Sequence, residues 1–112
     1  MFQYINDKSD CLRMAPFDGV AMHAIEAEKM TMSLVEMEPH SVIPEHSHPH
    51  EQVGIMLEGE AEFQIDGRTY PVQAGQMWRL PGGVPHKVTT GPTAMRALDV
   101  FYPVREDFRD KK

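Results

Sequence analysis

Apolar and polar residues alternate along most of this chain, and the alternation stops at short intervals. Ala61, Phe63 and Ile65 are separated by Glu62 and Gln64 and preceded by Glu60, the period of two that marks a strand with one buried face. Glu58-Gly59 precedes that run and Asp66-Gly67 follows it, the second pair being a strong hairpin signal. QVGIMLEGEAEFQIDGRTYPV therefore reads as three strands joined by two turns. KMTMSLVEME alternates as a strand that Pro39 ends. QMWRL follows a turn at Ala74-Gly75, HKVTT follows the tight turn in PGGVP, and TAMRALDVFYPV makes a last long strand after Gly91-Pro92. The one segment that reads as a helical turn is Val20 to Lys29. Nine prolines and eight glycines break the chain about every ten residues, the rhythm of short strands. The pattern predicts a single all-β domain over residues 1–112, a small barrel or jelly-roll sandwich in which closure or double layering deals with strand edges.

Composition narrows the function classes. With 41% hydrophobic and 25% charged residues the chain reads as a soluble globular domain. A formal net charge of −6 without a basic cluster argues against nucleic acid as a partner. No apolar run reaches membrane-spanning length, and the start lacks the basic and apolar regions of a signal peptide. One cysteine, Cys11, excludes an internal disulfide and fits a reducing compartment, so a cytoplasmic location is expected. Of the nine methionines, Met30, Met32, Met56 and Met77 are expected as core filler.

The candidate chemistry lies in PEHSHPHEQ, Pro44 to Gln52. In extended chain His46 and His48 leave the same face, roughly 6.6 Å apart along the strand. Neutral imidazoles on one face suit a divalent transition metal. Gln52 shares that face if the strand stays regular, and so does His50, although Pro49 makes regular alternation doubtful there. A further donor, His86, follows the PGGVP turn. His23 and His40 have no partner pattern and read as surface or loop residues.

These residues resemble the two motifs of the cupin superfamily. HxHxxxQ with Gly59 seven positions on matches the first, and Gly75-x5-Pro81-x-Gly83-x2-His86 matches the second, together spanning residues 44–90. The resemblance implies a small single-domain cupin jelly-roll β-barrel. It also implies one divalent transition metal ion per chain, bound by His46, His48, Gln52 and His86, with His50 at the rim. Nickel, manganese, iron and zinc all suit such donors. Two positions depart from the common motif: Gln52 replaces Glu, and Thr90 stands where Asn is frequent. Four neutral ligands leave the ion's charge uncompensated, which favours an anionic oxygen ligand and Lewis-acid chemistry.

DVFYPVRED narrows the resemblance to the uronate-linearising cupins of pectin degradation, in which Asp, Phe and Arg occur at the spacing of Asp99, Phe101 and Arg105. For an arbitrary strand, Phe101 would be core and Asp99 and Arg105 a surface ion pair. The family resemblance instead makes all three active-site residues. It implies ring opening of 4,5-unsaturated monouronates from pectin or alginate to 5-keto-4-deoxyuronate. Asp99 would transfer a proton, Arg105 would hold the substrate carboxylate, and Phe101 would wall the site. The expected partner is thus a small anionic sugar acid, and a homodimer is expected. A metal-dependent dioxygenase and a non-catalytic sugar-acid binding module are the alternatives.

Overall fold

The computed structural model describes residues 3–109. Among them the chain forms ten strands: β1 (Leu12–Phe17), β2 (Val20–Glu26), β3 (Thr31–Met37), β4 (Val42–His46), β5 (Glu51–Glu58), β6 (Glu60–Ile65), β7 (Arg68–Gln73), β8 (Met77–Leu80), β9 (His86–Thr89) and β10 (Met95–Tyr102). A 3-10 turn, Lys8–Asp10, precedes them, and a single helical turn, α1 (Glu106–Arg109), follows. The strands build two antiparallel sheets, one in the order β1-β2-β3-β10-β5-β8 and the other β4-β9-β6-β7. This is the all-β jelly-roll architecture that the alternation predicts. No helix among the described residues is long and apolar enough to cross a membrane.

Parity decides what each strand contributes to the interior. In β3 the buried positions are Thr31, Ser33, Val35 and Met37, and in β10 they are Met95, Ala97, Asp99 and Phe101. Register then lines up the inward rows: Asp99 lies opposite Ser33 of β3 and Gly54 of β5, and Phe101 lies opposite Thr31 and Gln52. One end of the space between the sheets is apolar, with Phe63 of β6 against Trp78 of β8 at 4.7 Å between ring centroids. Polar side chains collect at the other end, where Gln52, His86 and Asp99 are buried.

Three expectations are corrected. Val20 to Lys29 does not form a helical turn. Val20–Glu26 is a strand paired on both sides, with β1 and β3, so its backbone groups are satisfied across the sheet whatever its local preference. The methionines divide by face: Met56 is only 1% exposed and belongs to the core, whereas Met30, Met32 and Met77 are exposed, Met77 by 75%. His23 is a half-buried strand residue with Nδ1 3.7 Å from Glu36 Oε1, while His40 is exposed at a positive φ of 55°.

Two loops that carry motif residues are clipped together. The Gly83 N–H donates to the carbonyl of His48 at 2.7 Å, and a Cβ on Gly82 would come within 2.2 Å of the Pro49 carbonyl oxygen. Thr90 is structural: its hydroxyl donates to Glu38 O at 2.7 Å and accepts from Ser41 N at 2.8 Å, joining β9 to the chain before β4.

The division of the methionines is testable by denaturant unfolding. Met56→Ala should cost about 2–5 kcal/mol, the usual penalty for emptying a core site. Met77→Ala should stay within about 0.5 kcal/mol of the parent protein.

Candidate metal centre

His46 closes β4 and His86 opens β9, and the two are direct cross-strand partners. Their ring centroids lie 4.2 Å apart. His48 does not continue β4. It sits in the turn beyond, and the bend brings its ring to 5.8 Å from His46 and 5.2 Å from His86. One potential ligand atom from each of the three lies within 4.8 Å of the others. The three histidines are therefore positioned to bind a metal ion.

The proton on each ring can be located from its partners. His46 Nδ1 is 2.9 Å from Pro44 O, His86 Nδ1 is 3.0 Å from Val84 O, and His48 Nδ1 is 3.1 Å from His50 O. A carbonyl oxygen only accepts, so each Nδ1 donates, and in the neutral ring Nε2 is the nitrogen left with a lone pair. Burial, with the Arg105 charge adding to it, holds the His48 imidazole down to about 4, and burial also lowers that of His86. The His86 Nε2 atom is buried without a hydrogen-bond partner. A buried imidazole nitrogen without a partner, grouped with two further histidines, suits a divalent transition ion.

Gln52, from the opposite sheet, turns a side-chain oxygen towards the three histidines. Its amide Nε2 donates to Asp99 Oδ1 at 2.9 Å, which turns Oε1 towards His48 Nε2 at 3.1 Å. With the His48 proton on Nδ1, that contact joins two lone-pair atoms, which repel unless a cation lies between them. The residues present fit a divalent ion. His50, the rival ligand, is not one of the three histidines whose ligand atoms come together.

Asp99 is buried beneath β10, and its Oδ1 accepts from Trp78 Nε1 at 2.8 Å as well as from Gln52. Burial pushes its carboxyl up to about 6, against the opposing effects of those two donors and of Arg105. Gly54 makes the arrangement possible. It lies on β5 between Trp78 and Asp99, and a Cβ there would come within 2.3 Å of the indole nitrogen and 2.5 Å of the carboxylate oxygen.

Phe101 and Arg105 complete the wall. The Phe101 ring meets His48 edge-on at 5.5 Å. The Arg105 guanidinium lies over Phe101 at 4.8 Å and over Phe108 at 4.4 Å. Its ion-pair partner is Asp107, not Asp99. His46, Gln52, His86, Asp99, Phe101 and Arg105 line a cavity of about 660 Å³ that continues inward past Phe63 and Trp78.

All seven sequence-derived candidates thus gather around one end of the interior. Trp78, Gly54 and Asp107 were not anticipated. Trp78 and Gly54 carry a signal only once β5 and β8 are known to be neighbours, and Asp107 only as an acid two residues beyond an arginine.

Comparison with known proteins agrees with this architecture. The family described as Cupin domain matches residues 33–101. An RmlC-like cupin from Shewanella frigidimarina superposes with a TM-score of 0.85 at 23% identity, covering 96% of each chain. KdgF from Halomonas sp. superposes with a TM-score of 0.78 at 20% identity, covering 85% of this chain and 88% of that one. Polyketide synthase CurC of Streptomyces cyaneus is 37% identical over 57 residues, which are 50% of this chain and 37% of the relative, so the match spans little more than a third of that protein.

Metal analysis after exhaustive dialysis should find close to one divalent ion per chain. His48→Ala should lose most of it and His50→Ala should keep it. An emptied site in His50→Ala beside a filled one in Gln52→Ala would reverse the ligand assignment. Gly54→Ala should destabilise the fold by about 1–3 kcal/mol through overpacking, read from its unfolding midpoint.

Proposed function

The chain belongs to the cupin domain family, and on that premise we propose that it opens the ring of 4,5-unsaturated monouronates to 5-keto-4-deoxyuronates. One divalent ion would be held by His46, His48, Gln52 and His86. The observation that carries this reading is a single cavity in which donors of that set, a buried carboxylate and a guanidinium face the same space. The likeness in fold to KdgF supports it.

The substrate is a cyclic hemiacetal whose ring oxygen is also an enol ether oxygen, conjugated to a carboxylate. Opening it moves a proton off the anomeric hydroxyl, breaks the bond from C1 to the ring oxygen and later adds a proton at C4. Nothing is oxidised and no water is consumed. An ion at the histidine cluster supplies Lewis-acid stabilisation for the negative charge that develops on the ring oxygen. Asp99, its carboxyl raised to about 6, is suited to take the proton from the anomeric hydroxyl or to deliver one to C4 near neutral pH. The planar fork of Arg105 suits the substrate carboxylate, and Phe101 gives the sugar ring an apolar wall.

A second reading has its own observation. Away from Arg105 the cavity wall includes Ile43, Phe63, Trp78, Val88 and Met95, an apolar depth that a monouronate does not need. A polyketide-type ligand would fill that depth, and CurC bears on it by name.

Ultraviolet absorbance separates these readings. The conjugated enol ether absorbs and the keto product does not, so the protein should accelerate the spontaneous decay of unsaturated galacturonate- or alginate-derived monouronates. Activity should persist without dioxygen and fall on chelation, and in heavy water deuterium should appear at C4. Asp99→Ala and Arg105→Ala should each lower turnover at least tenfold with the metal retained, and Arg105→Lys should not restore it fully. Decay no faster than the protein-free control would exclude ring opening, and acceleration that needs dioxygen would point to a dioxygenase.

A further inference from the structure

The fork formed by the Nε–Nη2 edge of the Arg105 guanidinium is already taken. Its Nε donates to Asp107 Oδ1 at 2.9 Å and its Nη2 donates to Asp107 Oδ2, so one carboxylate of the chain takes the paired donors side by side. The phenyl rings of Phe101 and Phe108 lie against the guanidinium, and the side chain is 12% exposed. The guanidinium is anchored and its partner is not. The Arg105 N–H donates to the buried Thr31 hydroxyl at 2.9 Å, tying the residue to β3. Asp107 lies on the single helical turn of α1, and its side chain is half exposed. Rotation of that one side chain towards solvent would release the fork and leave the arginine in place.

We infer that Asp107 is a specificity-determining residue: it occupies the Arg105 fork as an internal carboxylate, and a ligand carboxylate binds by exchanging for it. The inference rests on the reading that Arg105 receives the carboxylate of the ligand. Exchange of one carboxylate for another leaves the count of charge-assisted hydrogen bonds unchanged, so a simple monocarboxylate gains almost nothing by entering. A sugar acid with further oxygens for the histidine cluster makes contacts that Asp107 does not, and so prevails. A carboxylate tethered two residues away competes at an effective concentration of millimolar or more. Acetate and other short acids at lower concentrations are thereby kept off the arginine.

The test is isothermal titration of the full-length, metal-bearing protein with two unreactive probes, acetate and saturated D-galacturonate. Asp107→Asn should bind both about tenfold more tightly than the parent protein, because the amide keeps the shape and loses the charge. Asp107→Ala should do the same, which guards against a local effect of the amide, and galactose should be unaffected. The gain should vanish when Arg105→Gln is added to Asp107→Asn. Affinity equal to or weaker than that of the parent, or absence of binding by both variants, would overturn the assignment and leave Asp107 as a residue that merely aligns the guanidinium. Tighter galacturonate binding without turnover of any unsaturated uronate would sustain the exchange and refute the ring-opening reading. Turnover without any gain in affinity would do the reverse.

Discussion

A carboxylate buried beneath a six-stranded sheet must find donors within reach, and the way Asp99 does so organises the polar end of this molecule. Two N–H groups converge on its Oδ1, one from the amide of Gln52 and one from the indole of Trp78. The first fixes which end of the Gln52 amide turns to the histidines. The second draws an aromatic ring across β5, which is why the intervening position bears no side chain. One acceptor atom thus links the orientation of the donor cluster to the packing of the apolar interior. The same burial raises the carboxyl towards the range in which it can exchange protons near neutrality. Structure and chemistry at Asp99 therefore share one cause.

The histidine cluster is assembled by topology more than by local sequence. His46 and His86 meet because β4 and β9 are neighbours in the four-stranded sheet, with a shift in register between Ile43 and His46. Gln52 arrives from the other sheet, so the cluster spans the gap between the layers. The clip from Gly83 to the His48 carbonyl, with Gly82 pressed on Pro49, ties the turn bearing His48 to the one leading into His86. Displacing one loop would displace the other.

Much of this was legible in the residues, and the failures share a physical origin. Period-two alternation located β3 and β6, whose alternate residues enter the core, and the Gly- and Pro-containing turns bracketed β5, β7, β8, β9 and β10. Val20–Glu26 was misread because half-buried residues occur on both its faces, and its strand character comes from pairing with two neighbours. Met30, Met32 and Met77 were misassigned because composition carries no information about which face a residue takes. In the site, the motif spacing brought out the histidines, and the break in alternation expected at Pro49 is present: the chain bends there and changes sheet before Gln52. Trp78 and Asp107 act through partners set by register and by a helical turn, neither of which is visible in a linear reading.

The chain contains one tryptophan, and it is the residue hydrogen-bonded to Asp99 in the wall of the cavity. All indole fluorescence of the protein therefore originates beside the donor cluster, with no background from elsewhere. An ion with a partly filled d shell would drain that excited state, whereas closed-shell zinc would leave it bright. The protein carries its own optical gauge of which metal it has taken up.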